Sequence, residues 1–131
     1  MKTIEVVAAI IEKEGKIFAT QRGSGEFKDG WEFPGGKVEK GESLTDAIIR
    51  EIKEELATTI KVEQFLCTVE HDYPKFHLTM HCYICSILEG SLTLLEHESS
   101  TWLDKNSLNT PSWLPADIKV VEELKKSKLF I

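Results

Sequence analysis

Apolar residues along the chain follow two different repeats, one typical of β-strands and one typical of an α-helix. Residues 4–12 and 16–21 are rich in β-branched and apolar side chains, and the Glu14-Gly15 pair between them predicts a hairpin turn. An unbroken apolar run such as 4–12 favours a strand that is covered on both faces. The same reasoning predicts further strands at residues 31–33, 58–69, 77–88, 92–94 and 99–103.

One segment has the 3.6-residue repeat of a helix that buries a single side. Ser43 is its predicted N-cap, with Asp46 three residues later in a pattern that resembles a capping box. A second amphipathic helix is predicted to close the chain after a loop at residues 108–115. Together these elements predict an α/β fold of the α+β type, a mixed β-sheet between helices. The apolar stripe of the first helix consists of Leu44, Ala47, Ile48, Ile52 and Leu56.

Two stretches between these elements predict turns and loops. Residues 71–74 are interpreted as a turn before the long strand at 77–88, and the Gly35-Gly36 pair after Pro34 as a glycine-rich loop. Residues 23–30 predict a flexible loop that follows Arg22 at the end of the second strand.

Length and composition describe an ordinary globular protein and exclude some classes of function. With 131 residues, 41% hydrophobic and 29% charged, the chain has the size of a single domain spanning 1–131. A net charge of -6 argues against a surface that binds a nucleic-acid polymer, although metal ions could supply positive charge for a single nucleotide. Neither a secretory h-region nor a long apolar run is present, so we expect a cytoplasmic protein without membrane contact.

The three cysteines are predicted to be reduced thiols. Cys82 and Cys85 form a single Cys-x-x-Cys pattern, but it lies in a predicted strand. Strand residues three apart point to opposite faces, which is poor geometry for a shared metal ion or a disulfide. Cys67 is interpreted in the same way, as a buried or half-buried thiol.

The first predicted helix carries a cluster of carboxylates on one face. Glu54 and Glu55 follow Glu51 by three and four positions, so both share a helix face with it. Like charges at this spacing repel one another, and a cation would relieve that repulsion. Ligands that are all carboxylate oxygens suit Mg²⁺ or Mn²⁺ better than zinc.

The spacing of these residues resembles the signature box of the Nudix hydrolases. Gly36 is followed after five residues by Glu42, and then by the sequence Arg-Glu-Ile-Lys-Glu-Glu at residues 50–55. Ala57 and Thr58 depart from the box, which has glycine and an aliphatic residue there. Beyond the box, IEVVAAIIE, Arg22, WEFPGGK and LPAD resemble the MutT-like branch over nearly the whole chain.

The resemblance implies a Mg²⁺-dependent hydrolase, with Mn²⁺ as an alternative ion, that turns a nucleoside triphosphate into a monophosphate and pyrophosphate. The implied catalytic residues are Glu51, Glu54, Glu55 and Glu96, which with the Gly35 carbonyl would also hold the metal. Glu51 could be a ligand, the base for the attacking water, or both, and Glu98 is the local rival of Glu96. We expect Arg50 to orient a neighbouring glutamate and Glu42 to support the site.

The substrate-binding residues implied by the resemblance lie elsewhere in the chain. Arg22 is expected to bind a phosphate, unless it is a solvated residue at a strand end. Gly35 and Gly36 are also expected to bind substrate, and Lys37 lies beside the expected phosphate path, unless it is an ordinary loop charge. Asp117 is expected to read the base, which suits the amino group of cytosine or, if Asp117 is protonated, an oxidised purine. It could instead simply stabilise the first turn of the last helix. Glu32 and Phe33 are the expected pocket walls, with Val6 and Ala8 beneath.

Two other functions remain open at this level. The same chemistry could act on ADP-ribose or a dinucleotide, or the scaffold could be a nucleotide sensor without catalysis. The small-molecule partner is in each case a nucleotide, and the chain could be a monomer or a homodimer. The four histidines, at positions 71, 77, 81 and 97, are interpreted as strand or loop residues rather than catalysts.

Overall fold

The protein is described by a computed structural model over residues 1–127, in which seven strands and two helices follow the predicted order of strands, helix, strands, helix. None of the helices in this range is long and apolar enough to cross a membrane. The mixed sheet between helices is confirmed. The elements are β1 (Lys2–Lys13), β2 (Lys16–Arg22), β3 (Trp31–Glu32), β4 (Gly35–Lys37), α1 (Leu44–Leu56), β5 (Thr59–Tyr73), β6 (Phe76–Glu89), β7 (His97–Leu103) and α2 (Pro115–Lys126).

Strand β1 is the centre of the sheet. It pairs in parallel with β6, from Lys2 opposite Phe76 to Ile11 opposite Cys85, and antiparallel with β4 and with the start of β2. Strand β5 extends the sheet beyond β6, whereas β3 and β7 both pair with β2. The sheet is mixed because only the β1–β6 pair is parallel among the named strand pairs of residues 1–127.

The two faces of β1 belong to two different hydrophobic cores. Val7, Ala9 and Ile11 pack with α1, whereas Ala8 and Ile10 pack with α2. All five side chains are buried, since none is more than 1% exposed. The prediction that this strand is covered on both faces is therefore confirmed, and the helices lie on opposite faces of the sheet.

Helix α1 begins and ends at the residues that its sequence indicates. Asp46 N–H donates a 3.1 Å hydrogen bond to the Ser43 hydroxyl, which confirms Ser43 as the N-cap. The helix ends at Ala57, whose φ of 50° and ψ of 38° are left-handed. Glycine would adopt this conformation without the cost of about 1 kcal/mol that a Cβ atom brings.

Three predictions about the connecting segments are wrong. Residues 92–94 do not form a strand, because their backbone does not pair with a neighbouring strand. The Thr93 and Leu95 amides bond to carbonyl groups at the end of α1, and the Leu92 amide bonds to the hydroxyl of Thr58. Residues 71–73 continue β5, whose pairing with β6 runs on to Tyr73 opposite Phe76. The glycine pair is not a free loop, since Gly35–Lys37 pair with β1 as β4.

The cysteines are free thiols, and the structure gives Cys82 a neighbour that its sequence pattern hides. Cys82 belongs to the core that α2 covers and Cys85 to the core that α1 covers, so the prediction that they point to opposite faces is confirmed. The residue opposite Cys82 on the adjacent strand is Cys67.

Candidate active site

The two glycines of β4 let this strand and α1 approach each other closely. Gly35 and Gly36 pair with Ala8 and Val7 of β1. A Cβ atom at Gly35 would overlap the Val7 carbonyl group, and one at Gly36 would overlap the carboxylate of Glu51. Glycine therefore gives the Glu51 carboxylate a place directly against the backbone of β4.

Arg50 organises the carboxylates around it. Its Nε and Nη2 atoms donate hydrogen bonds of 2.7 and 3.0 Å to the two oxygens of Glu42, and Nη1 donates one of 2.9 Å to Glu51. Nη1 also contacts Glu54 at 3.3 Å, while Nη2 bonds to the Lys37 carbonyl at 3.0 Å. The hydrogen bond from Arg50 lowers the pKa of Glu42. The guanidinium of Arg50 is thus engaged by its neighbouring glutamates, whose carboxylates it orients.

Glu55 is buried near other carboxylates, and one of its oxygens has no partner to compensate for the loss of water. Its Oε2 atom is buried without a hydrogen-bond partner in the described structure. Burial, followed by repulsion from Glu51, Glu96 and Glu32, raises its pKa to about 8, and a hydrogen bond from the Gly35 backbone only partly opposes the rise. A cation beside Glu55 would reverse both causes, because it would replace the lost hydration and offset the negative charges.

Glu96 and Glu98 lie close together in sequence but face different parts of the molecule. The Leu95 amide bonds to the Glu55 carbonyl at 3.2 Å, which brings Glu96 next to the end of α1, and its charge is among those that raise the pKa of Glu55. Glu98 interacts with Asp29 of the loop after β2. The geometry favours Glu96 over Glu98 as the distant partner of the α1 carboxylates.

The carboxylate oxygens around Glu55 are ligands that fit a hard divalent cation, although the side chains do not point at one common position. Within residues 1–127, no three acidic, histidine or cysteine side chains are gathered closely enough to hold an ion as they stand. Glu51 and Glu54 are instead paired with Arg50. The fit rests on the unpartnered Glu55 oxygen and on a set of carboxylate oxygens, the ligands that Mg²⁺ and Mn²⁺ prefer.

A cavity of about 160 Å³ opens on the other side of the glycine pair. It brings together most of the substrate-binding residues predicted from the sequence. Lys37 is the exception: its side chain is exposed and does not line the cavity, although its carbonyl group accepts a hydrogen bond from Arg50. The predicted residues that do line it are Val6, Ala8, Arg22, Glu32, Phe33, Gly35, Gly36 and Asp117.

Asp117 lies at the bottom of this cavity in the first turn of α2. It is only 4% exposed, and its Oδ1 accepts a 3.0 Å hydrogen bond from the Phe33 amide. Burial raises the pKa of Asp117 to about 8, and the Phe33 hydrogen bond opposes that rise. Phe33 in turn stacks on Trp113, with the ring centroids 4.6 Å apart. Asp117 is therefore fixed in place and holds a proton near neutral pH, so it can donate as well as accept.

Arg22 is paired within the protein rather than free in solvent. Its Nε atom lies 3.1 Å from both oxygens of Glu32. The ring of His97, with 7% of its side chain exposed, lies 3.9 Å from Glu32, and its Nδ1 is buried without a partner in the described structure. Burial lowers the pKa of His97, so its ring is neutral. Sequence reasoning treated Arg22 and Glu32 separately and assigned His97 no role.

The residues that form the far wall of the cavity were not predicted from the sequence. Phe76, Leu78 and Met80 line it from β6, and Tyr73 from the end of β5. The hydroxyl of Tyr73 also accepts a 3.1 Å hydrogen bond from the Ala116 amide, which ties β5 to the start of α2. The available signal was the period of two along residues 76–80, which puts these three side chains on one face of the strand.

Known proteins match this chain along most of its length. The family profile described as a NUDIX domain matches residues 1–124. The chain is 37% identical over 123 residues to the CTP pyrophosphohydrolase of Escherichia coli strain K12, covering 93% of this chain and 91% of that protein. It is 30% identical over 128 residues to the 8-oxo-dGTP diphosphatase of the same strain, covering 96% and 99%.

A solved structure agrees with the fold as well. The crystal structure of a MutT NUDIX hydrolase from Burkholderia pseudomallei superposes with a TM-score of 0.86 at 26% sequence identity. The superposition covers 95% of this chain and 99% of the other. Sequence and backbone therefore match the same group of proteins over almost their entire lengths.

Proposed function

The chain belongs to the Nudix family, and from that premise we propose that it is a nucleoside triphosphate pyrophosphohydrolase of the MutT-like branch. Its products are a nucleoside monophosphate and pyrophosphate, and its substrates are CTP-type or oxidised nucleotides. The two relatives named for such reactions support this substrate class. We propose that residues 1–131 form one catalytic domain.

Nudix hydrolases generally depend on a divalent metal ion, and we propose Mg²⁺ for this protein. Glu54, Glu55 and Glu96 would hold it together with the Gly35 carbonyl. When bound, such an ion neutralises phosphate charge and lowers the pKa of a coordinated water. The single observation that carries the proposal is the buried Oε2 atom of Glu55. It has no hydrogen-bond partner in the described structure and lies near other carboxylates.

The chain's own residues would position the substrate and manage its charge. Glu51 lies against Gly36 and is held by Arg50, so it can serve as a further ligand or take a proton from the attacking water. Arg22 lines the cavity and would bind a phosphate chiefly through Nη2, since its Nε is bonded to Glu32 and its Nη1 donates a 3.3 Å hydrogen bond to the Glu26 carbonyl. Positioning and electrostatics of this kind do most of the work in phosphoryl transfer.

Base recognition is proposed for Asp117 and the cavity around it. With a pKa raised to about 8, Asp117 can donate a hydrogen bond from its protonated form or accept one from a base amino group. The stacked pair of Phe33 and Trp113 supports one wall, and the aromatic ring of Tyr73 contributes to another. A base bound here would have its phosphates near the Gly35-Gly36 strand, next to the α1 carboxylates.

A panel of nucleotides tests the proposed reaction directly. The purified protein is incubated with Mg²⁺ and CTP, dCTP, 5-methyl-dCTP, 8-oxo-dGTP or ADP-ribose, and the release of monophosphate and pyrophosphate is measured. We expect hydrolysis of at least one triphosphate and a large loss in Glu54→Gln. Glu63→Gln, which neutralises an exposed carboxylate on β5, is the matched control. Absence of turnover of every triphosphate, or equal rates in Glu54→Gln and wild type, would contradict the proposal.

A further inference from the structure

Residues 90–95, called here the latch segment, lie on the C-terminal end of α1 without forming a strand. Their amides satisfy carbonyl groups that the helix leaves unpaired: Thr93 N–H donates to Leu56 at 2.9 Å, and Leu95 N–H donates to Glu55 at 3.2 Å. The next residue after this segment is Glu96. The position of Glu96 relative to Glu55 thus depends on how firmly the latch segment is attached.

Thr58 provides the attachment at the start of the latch segment. Its side chain is completely buried, and its hydroxyl donates to the Leu56 carbonyl at 2.9 Å. The same hydroxyl accepts a 2.9 Å hydrogen bond from the Leu92 amide. Gly90, with φ of 107°, packs so closely on Ala57 and Thr58 that a Cβ atom there would come within 3.0 Å of them. An aliphatic residue, the usual type at position 58 in the family box, could make neither hydrogen bond.

The latch segment needs such an attachment because two features oppose its position. Leu92 has φ of 54°, a left-handed conformation that disfavours any residue with a Cβ atom. The bond between the Leu95 amide and the Glu55 carbonyl holds Glu96 close to Glu55, and two carboxylates held close together repel each other. Loss of the attachment at Thr58 would therefore loosen the start of the segment, although Leu92 and Leu94 still pack on the core that α1 covers, and would let Glu96 shift relative to Glu55.

We propose that Thr58 is a positioning residue whose hydroxyl fixes the latch segment to α1 and thereby sets the separation between Glu55 and Glu96. The proposal rests on the proposed function in one respect, that Glu96 acts together with Glu55 on the metal ion. Thr58 takes no part in the chemistry itself. Its effect is on the affinity for metal and on kcat, because neither the latch segment nor Thr58 contacts the base cavity.

Thr58→Val tests the hydroxyl, since valine has nearly the same shape and lacks both hydrogen-bonding functions. Amide hydrogen exchange is measured at Leu92 by NMR, and Mn²⁺ binding is measured by electron paramagnetic resonance, both without nucleotide. We expect protection at Leu92 to fall and Mn²⁺ affinity and kcat each to fall by about tenfold, the usual effect of losing a group that orients a metal ligand. KM for the nucleotide should change less than about twofold. Thr58→Ser restores the hydroxyl and should restore all of these.

Two further variants separate positioning from general stability. Thr93→Val removes an exposed hydroxyl in the same segment that makes no hydrogen bond in the described structure, so it should change nothing. The double variant Ala57→Gly, Thr58→Val regains stability from a relaxed helix end but still lacks the hydroxyl. It should unfold at the temperature of the wild type and still bind Mn²⁺ weakly.

The inference is overturned if Thr58→Val keeps the protection of Leu92, or if the double variant recovers full Mn²⁺ affinity. Failure of the proposed function has a different signature. In that case the wild type hydrolyses no triphosphate, whereas amide exchange and Mn²⁺ binding still respond to the hydroxyl, since neither measurement needs a substrate.

Discussion

Glu55 and Asp117 have pKa values raised to the same level, about 8, by different surroundings. At Glu55, at the end of α1, burial acts together with repulsion from Glu51, Glu96 and Glu32. At Asp117, on the opposite side of the glycine strand, burial dominates and the Phe33 amide offers some compensation. One carboxyl group is crowded by charge, and the other is surrounded mainly by apolar side chains.

The difference separates two kinds of chemistry in one small domain. Crowded carboxylates become anionic as soon as a divalent cation offsets their repulsion, so their high pKa belongs to the metal-free protein. At Asp117 the largest cause of the raised pKa is burial, which does not depend on a metal ion beside the α1 carboxylates. The first arrangement suits cleavage of a polyphosphate, and the second suits discrimination between bases by a hydrogen-bond donor.

Glu55→Gln should give the largest effect and should affect cleavage alone. Loss of a charged metal ligand is expected to lower kcat about 100-fold or more, while the ratio of kcat/KM between different nucleotides stays constant. Steady-state kinetics across the nucleotide panel measure both quantities, with Glu63→Gln as the control. A kcat within twofold of the wild type would show that hydrolysis does not need the Glu55 carboxylate.

Asp117→Asn should give the reverse pattern, a changed preference with intact metal dependence. Asparagine always offers a donor and cannot ionise, so the ratio of kcat/KM between CTP and 8-oxo-dGTP should shift by about tenfold, which corresponds to about 1.4 kcal/mol. The concentration of Mg²⁺ for half-maximal rate should stay the same. Asp46→Asn, in the first turn of α1, is the matched control. An unchanged ratio in Asp117→Asn would remove Asp117 from base recognition.

The buried proton on Asp117 also predicts how stability depends on pH. Its folded pKa of about 8 lies above the ordinary value of 3.8, so between these values the folded protein binds a proton that the unfolded chain has released. Stability from this group is therefore fully present in acid and is lost as the pH rises towards 8. Urea unfolding is measured for the wild type and Asp117→Asn. From pH 5 to 8, the free energy of unfolding of the wild type should fall relative to that of the variant. A constant difference would mean that Asp117 is ionised in the folded state.

Ala57→Gly should give the smallest effect, a change in stability alone. The function of the α1 carboxylates and of the cavity around Asp117 should not change. The left-handed φ of 50° at Ala57 costs an alanine about 1 kcal/mol that glycine does not incur. Chemical denaturation should reveal a gain of that size, with kcat and base preference as in the wild type. A loss of stability would mean that the methyl group of Ala57 makes contacts that outweigh the strain.

Local pattern in the sequence predicted those features that depend on neighbours along the chain. The unbroken apolar run of β1, the cap at Ser43 and the carboxylate face of α1 are of this kind, and the structure has all three. The ion pair between Arg22 and Glu32 and the cavity wall from Tyr73 to Met80 depend instead on which strands pair and in what register. Hydrophobic periodicity does not specify a register between distant strands.

The failed strand at residues 92–94 has a more specific cause. Leu92 and Leu94 both pack on the core that α1 covers, so their alternation is genuine and the prediction used it correctly. The amides of the segment, however, bond to the last turn of α1 and to Thr58. A hydrophobic pattern shows which side of a segment is buried, whereas the partners of its backbone groups decide whether it becomes a strand.

The parallel pairing of β1 with β6 has a consequence for the order of events during synthesis. Helix α1 leaves the ribosome before β6 does, so at that moment β1 has an unpaired edge and the sheet that α1 covers is incomplete. Contacts between such distant segments slow folding, and an open strand edge invites association with other chains. The net charge of -6, rather than any one carboxylate, is the property of the chain that opposes such association.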